Sequence, residues 1–288
     1  MSEKSVIEGI NGEPELKLNG WREVVKLPVV DSEKLWNLEE LEDIFRESIE
    51  AVTIQALKDN DGIIYTTLSG GVDSSLCLAI IAELCPSDTE IHTFTAGGGR
   101  RHPDVQFAQE VSKLFNTTHH EIIVESKDKE EIIQEFTDFY GNSPQTETMI
   151  KRADINVWAV YRKIAKTKAR SVIVHDGIDE LMGGYWLHRQ SATEGKERQE
   201  EIFRKFWREL EPEHLTPLES TAHHFGIQLL FPYLQKKLVD YISHIPVSER
   251  ASFTTGKMPL KEIARKYVWP KEVIDRKKRG FVDALMEK

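Results

Sequence analysis

The stretch Thr67-Leu68-Ser69-Gly70-Gly71-Val72-Asp73-Ser74-Ser75 constrains this chain most, because it joins a strand-like run to a helix-like run through a turn suited to an anion. Upstream, Gly62-Ile63-Ile64-Tyr65-Thr66-Thr67-Leu68 has the β-branched and aromatic composition of a buried parallel strand. Downstream, Leu76, Ala79, Ile80 and Leu84 recur at helical spacing, with Asp73, Ser74 and Ser75 at the helix start, where short polar side chains satisfy orphan backbone donors. Paired glycines let successive N–H groups turn inward as a nest, and the positive end of the helix dipole points at the same spot. Neither Gly-x-x-x-x-Gly-Lys-Ser/Thr nor Gly-x-Gly-x-x-Gly occurs, which excludes the common NTPase loop and the dinucleotide fingerprint. The loop carries no lysine, and the Asp73 carboxylate would repel phosphate unless a cation such as Mg²⁺ bridged the two. The expected ligand is a metal-bound nucleotide gripped by its pyrophosphate.

The rest of the chain alternates strands and helices. A helix over about 37–58 keeps Leu38, Leu41, Phe45, Ile49 and Val52 on one face. Ile91-His92-Thr93-Phe94-Thr95-Ala96 reads as a second strand, followed by the loop Gly97-Gly98-Gly99-Arg100-Arg101-His102. Pro103 and Asp104 then open a helix with Val105, Ala108, Val111 and Phe115 inward. Residues 119–124 return as a strand, 127–140 and 147–168 read as helices, and Ser171-Val172-Ile173-Val174-His175 is another buried strand. This spacing predicts an α/β fold: a parallel sheet with helices on both faces and its ligand beyond the carboxyl ends of the strands. Beyond about residue 190 the pattern reads as purely helical, with segments at 194–210, 217–225, 235–244 and 257–268. The expected division is an N-terminal extension (1–36), an α/β core (37–190) and a C-terminal helical region (191–288) that completes the site. Within the extension, Glu15-Leu16-Lys17-Leu18 and the run 24–30 could pair as a hairpin around Asn19-Gly20.

Of 288 residues, 38 are basic and 48 acidic, a net charge of -10, which argues against a general nucleic-acid binder. No apolar run approaches the roughly 20 residues of a membrane span, and Met-Ser-Glu-Lys lacks a signal peptide's apolar core, so a soluble cytoplasmic protein is expected. Cys77 and Cys85, if both helical, lie about 12 Å apart, too far for a disulfide, and are expected to be buried thiols. Adjacent histidines at 119–120 and 223–224 diverge on a strand or helix, which favours structural roles over chelation.

The last strand ends at a second constellation, Asp176-Gly177-Ile178-Asp179-Glu180-Leu181-Met182-Gly183-Gly184-Tyr185. Read alone, its acids could complement a helix dipole; placed at the sheet edge that presents Asp73, they could instead converge on one magnesium-triphosphate group. Ser-Gly-Gly-x-Asp-Ser resembles the signature of the ATP pyrophosphatase family. Asp-Glu-Leu-x-Gly-Gly-Tyr resembles its asparagine synthetase branch, as do Thr93-Phe94 with Gly97, His102-Pro103-Asp104 with Ala108, and Thr118-His119-His120-Glu121. Pro270-Lys271 with Arg276, Lys278 and Gly280-Phe281 is similar to that branch's C-terminal motif. The resemblance runs from about residue 40 to the end.

This resemblance implies an adenine nucleotide alpha hydrolase-like fold and an AMP-forming amide ligase that uses ATP and Mg²⁺. It implies that Ser69, Gly70, Gly71, Ser74 and Ser75 hold the β and γ phosphates, that Asp73 and Asp179 bind Mg²⁺, and that Leu68, Thr95 and Gly177 lie near the adenosine. Lys278 matches the lysine that neutralises charge during adenylation, with Asp176 and Glu180 as further catalytic groups. The implied substrates are a small carboxylate, foremost the aspartate side chain, and ammonia. Two departures stand out: Asp176 replaces a glutamate, and Gln228-Leu229-Leu230-Phe231-Pro232-Tyr233-Leu234-Gln235 replaces Glu-x-Arg-x-Pro-Phe-Leu-Asp. Glutamine-dependent members begin with a catalytic cysteine on an amidotransferase domain, whereas this sequence has Ser2 and a short leading region. Ammonia is therefore expected from solution or from a separate glutaminase subunit, and a homo-oligomer is compatible with the pattern. The departures also allow a different acceptor, such as a natural product or a tRNA base, or a nucleotide-binding regulatory subunit without turnover.

Overall fold

The computed structural model describes residues 18–275 apart from 98, 101, 125, 153, 268 and 270–272. Five strands form one parallel sheet: β1 (Ile64–Thr67), β2 (Ile91–Gly97), β3 (Thr118–Ile123), β4 (Ser171–Ile173) and β5 (Gln228–Leu230), in the order β3-β2-β1-β4-β5. From β1 the chain winds outward through β2 to β3, then crosses back to β4 on the other side of β1. The order reverses between β1 and β4, and in open parallel sheets that point opens a crevice at the strands' carboxyl ends. Ile64 and Thr66 on one face are fully buried and Tyr65 on the other is buried too, so β1 is covered on both faces as its composition predicts; the Thr66 hydroxyl donates to the Ile173 carbonyl at 3.1 Å.

The helices follow the apolar periodicity closely. In α2 (Leu38–Asp59), Asn37 caps the start by accepting from the N–H groups of Glu39 and Glu40, and Leu41, Phe45, Ile49 and Val52 are buried. It succeeds a single-turn helix, α1 (Trp21–Val24). Helix α3 (Val72–Leu84) is enclosed all round: every residue from Leu76 to Ile81 is fully buried, between α2 on one side and α14 (Met258–Ala264) on the other. Cys77 lies within it and Cys85 caps its end, both free thiols, and burial pushes Cys85 up to about 12. Next come α4 (Pro103–Leu114), α5 (Ser126–Tyr140), α6 (Pro144–Lys151), α7 (Asp154–Ile164), α8 (Ile178–Met182), α9 (Trp186–Ser191) and α10 (Lys196–Leu210). A π-helical turn over Glu211–Leu215 leads into α11 (Thr216–His224), and α12 (Lys236–Ser243) and α13 (Val247–Arg250) precede α14.

Three expectations are corrected. Of the hairpin, residues 15–17 lie outside the described residues, and the run 24–30 closes α1 and continues as turns instead of a strand. Its carbonyls serve distant side chains, Leu27 accepting from the Trp207 indole at 2.9 Å and Val29 from Arg250 at 2.8 Å, while in α1 Trp21 is buried and its indole N–H donates to Glu219 at 2.9 Å. The run 147–168 is two helices: Pro144 and the Ser143 cap start α6 early, and Arg152 ends it while bonding to Asp154 and Glu213. The chain beyond 190 is not purely helical, because β5 pairs in parallel with β4, Ser171 opposite Gln228 and Ile173 opposite Leu230. Three residues are too few to show a period; what announces the strand is Gly226, whose φ of 71° ends α11.

Candidate active site

The loop between β1 and α3 is built by glycine and serine together. Gly70 has φ 65°, and a Cβ there would lie 2.5 Å from the Ala108 backbone N and 2.7 Å from Phe107 Cβ on α4, so the position excludes any side chain. The Ser74 hydroxyl accepts from the Ser69 N–H at 3.1 Å and draws the turn tight. No side chain caps α3 at Gly71, which leaves its first N–H groups turned toward the crevice. Asp73, Ser74 and Ser75 are buried, with the Ser75 hydroxyl and Asp73 Oδ1 lacking hydrogen-bond partners among the described residues. Tyr233, beyond β5, donates its hydroxyl to the Asp73 carbonyl at 2.7 Å and fixes the first turn of α3.

Asp73 and Asp179 converge, as the sequence predicts, but on a partner it does not reveal. The Lys257 ammonium donates to Asp73 Oδ2 at 2.6 Å and lies 2.6 Å from Asp179 Oδ1, with all three side chains largely buried. Lys257 takes a left-handed backbone (φ 57°) ahead of α14, and its N–H donates to the Met182 carbonyl at 2.9 Å. That close approach explains the glycines around it. A Cβ on Gly184 would collide with Asp179 Oδ1 and stand 2.6 Å from Lys257 Cε; one on Gly256 would collide with the Gly183 carbonyl. The only sequence signal for Lys257 is a Gly-Lys pair before a helix, which reads as a surface residue until the fold shows it buried.

This cluster suits a divalent metal on its donor chemistry: two carboxylates from separate strand ends already enclose one cation, and Asp73 Oδ1 is buried with lone pairs to spare. Leu68 follows the end of β1, Thr95 lies two residues before the end of β2, and Gly177, the left-handed cap of α8 (φ 93°), comes after β4; Leu68 and Thr95 are buried, and all three lie toward the carboxyl edge of the sheet. Glu180 is buried and accepts from the Tyr185 hydroxyl at 2.7 Å; burial, helped by the neighbouring Asp179 charge, pushes its carboxyl up to about 7. Asp176 pairs with His214, Nε2 to Oδ1 at 2.5 Å, a contact sequence reasoning missed because 38 residues separate the two. Lys278 and the basic motif around it lie outside the described residues. His119 bonds to Thr93 and His120 to His92, while His224 stacks on Trp158, so these histidines serve packing.

The sequence model of asparagine synthase matches residues 45–200 and 188–288. Among curated relatives, the chain is 28% identical over 258 residues to asparagine synthetase [glutamine-hydrolyzing] of Asparagus officinalis, covering 84% of this chain and 42% of that protein. It is 30% identical over 232 residues to asparagine synthetase B [glutamine-hydrolyzing] of Escherichia coli (strain K12), covering 76% of this chain and 40% of that one. The chain thus spans about two-fifths of the length of these relatives. Among solved structures, glutamine-dependent NAD+ synthetase from Acinetobacter baumannii aligns with a TM-score of 0.39 at 16% identity, over 88% of this chain and 39% of that one. Described residues contain no helix long and apolar enough to cross a membrane.

Proposed function

The chain belongs to the asparagine synthase family, and from that membership we propose that it is an ATP-dependent, AMP-forming amide ligase that adenylates a carboxylate, foremost the aspartate side chain, for attack by ammonia. The observation that carries this reading is the pair of carboxylates, Asp73 and Asp179, gripping one buried ammonium at the mouth of an uncapped helix N-terminus. Such an arrangement recognises a polyanion and its counter-cation together. In this reading Ser69, Gly70, Gly71, Ser74 and Ser75 hold the β and γ phosphates, and the adenosine lies along the rim of Leu68, Thr95 and Gly177. Asp73 and Asp179 would hold Mg²⁺, which when bound supplies charge neutralisation to the phosphate oxygens. Lys257, released from the two carboxylates, is free to follow the phosphates.

A carboxylate oxygen of the acceptor acid attacks the α-phosphorus, and the bond to the pyrophosphate oxygen breaks. Negative charge builds on the departing group, and the loop N–H groups with Lys257 and Lys278 stabilise it. The nitrogen nucleophile then attacks the acyl carbon of the mixed anhydride, the carbon–oxygen bond to AMP breaks, and the nitrogen loses a proton. Ammonia comes from solution or from a glutaminase.

The test is ATP/pyrophosphate exchange, which reports adenylation without any amine. Exchange that requires aspartate, and that falls by about 100-fold or more in Asp73→Asn, is the expected result. Full exchange in that variant removes Asp73 as the metal ligand; absence of exchange with aspartate and other small acids in the wild type removes the ligase reading.

A further inference from the structure

Helix α10 and the turns over 25–30 enclose a cavity of about 240 Å³, and none of the residues lining it belongs to the phosphate loop or to the cluster of Asp73, Asp179 and Lys257. We propose that this cavity is a second ligand site, for a small amphipathic anion: an apolar chain or ring that carries one carboxylate. Nothing in it depends on the chemistry at the phosphate loop.

The walls are apolar and held in place. Val25, Leu27 and Val30 line one side, each half-buried where the chain runs as turns, and Trp207 lines the other. Main-chain carbonyls of the turn are tied to distant elements: Leu27 accepts from the Trp207 indole at 2.9 Å, and Val29 accepts from Arg250 at 2.8 Å. Pro28 stands between those two carbonyls, and its ring fixes φ, so the turn has little freedom to collapse inward. A site shaped before its ligand arrives loses less conformational entropy on binding. Pockets for drug-sized ligands span roughly 300–1,000 Å³, and an apolar cavity of about 150 Å³ takes up benzene, so this one suits a body of about six to ten carbons and is too small for a nucleotide.

Charge completes the site. The protein carries a net charge of -10, yet the charged residues lining this cavity are all basic: Lys26 on the turn, with Arg204 and Arg208 one turn apart on α10, all exposed. Arg204 donates to Glu200 at 2.9 Å, whereas neither Lys26 nor Arg208 has a side-chain hydrogen bond or ion pair among the described residues. Glu201 and Glu209 of the same helix are engaged with Arg198 and Lys205. Behind Val29, the fully buried Arg250 adds a further positive charge. Its guanidinium lies 4.8 Å over the Phe203 ring, and its Nε and Nη2 have no partner among the described residues. No hydroxyl or amide side chain lines the cavity, which gives a bare inorganic anion few groups to bond. A carboxylate at the rim would meet cations that the fold leaves unpaired, while its apolar body displaces water from Val25, Leu27, Val30 and Trp207.

Equilibrium dialysis of the full chain against radiolabelled octanoate tests this, with octan-1-ol as the neutral ligand of equal length. The expected result is one octanoate per chain with a Kd of about 1 mM or tighter, and octan-1-ol about tenfold weaker. Lys26→Glu combined with Arg208→Glu should weaken octanoate by about tenfold or more and leave octan-1-ol within about twofold. Lys113→Glu combined with Lys166→Glu makes the same change in net charge at residues that line no part of the cavity, and should leave octanoate within about twofold. Val25→Trp fills the space and should remove binding of both ligands, with an unchanged far-UV circular dichroism spectrum. Absence of octanoate binding by wild type, equal affinity for octan-1-ol, or octanoate binding that survives in Lys26→Glu/Arg208→Glu each overturns the site. The last of these places the carboxylate elsewhere, the phosphate loop included. Wild type that sediments as a dimer while Lys26→Glu/Arg208→Glu sediments as a monomer gives this face to a second copy of the chain and also overturns it. A peptide of alternating leucine and glutamate that displaces octanoate at about a hundredfold lower concentration does the same, by giving the cavity to a partner's acidic segment.

Discussion

Lys257 holds together two carboxylates that would otherwise repel each other inside a buried crevice, and it is the residue whose removal separates the empty from the loaded site most cleanly. Lys257→Met replaces the ammonium with an apolar chain of similar length, leaving Asp73 and Asp179 without their cation. Breaking a buried pair in this way costs on the order of 3–5 kcal/mol. Thermal unfolding should show the variant well below wild type in EDTA and largely restored by millimolar Mg²⁺, with wild type much less responsive. A deficit in the variant that Mg²⁺ leaves untouched would argue against a metal between these carboxylates. Asp73 was legible in the sequence because a carboxylate inside a phosphate loop demands a cation. Lys257 was not, because 184 residues separate it from Asp73 and nothing local distinguishes it from a solvated lysine.

Elements meet at this site through absent side chains. The end of α8 and the start of α14 approach so closely that Gly184 and Gly256 each stand where a Cβ would strike the opposite segment, while one on Gly183 would press on Ala251 and Phe203. Gly184→Ala should therefore displace Asp179 and Lys257 while leaving the sheet intact, and lower ATP/pyrophosphate exchange by about 100-fold with an unchanged far-UV circular dichroism spectrum. Gly20→Ala, where a Cβ meets nothing within 4 Å, is the control and should stay within about twofold of wild type. If both variants exchange alike, the close approach does not matter to the site. Long elements with a repeated apolar face, such as α2 and α3, could be read directly from spacing. Strand β5 and helix α1 could not: each is four residues or fewer, and each exists because of a partner far away in sequence, β4 for one and Glu219 for the other.

The whole molecule stores pH sensitivity in histidines that folding keeps neutral. Burial pulls His188 down to about 3 and His119 to about 4, against an unfolded value near 6.5. As pH falls below 6.5 the unfolded chain takes up protons that the folded one refuses, so stability declines from pH 6.5 down to about 4 for His119 and about 3 for His188. His214 acts with the opposite sign, but between 6.5 and 9, where its contribution fades as pH rises. Urea midpoints should therefore fall from pH 7 to pH 5, and His119→Gln should flatten that slope; a slope that persists unchanged in the variant would remove His119 as a source. Another consequence follows from the sheet order. Strand β4 ends at residue 173 and its outer neighbour begins at 228, so the ribosome must add about 55 residues before that edge can be covered. At roughly 5–20 residues per second, the nascent chain carries an open edge for about 3–11 s. That interval, more than any weakness of the finished fold, is when a chaperone would matter to this protein.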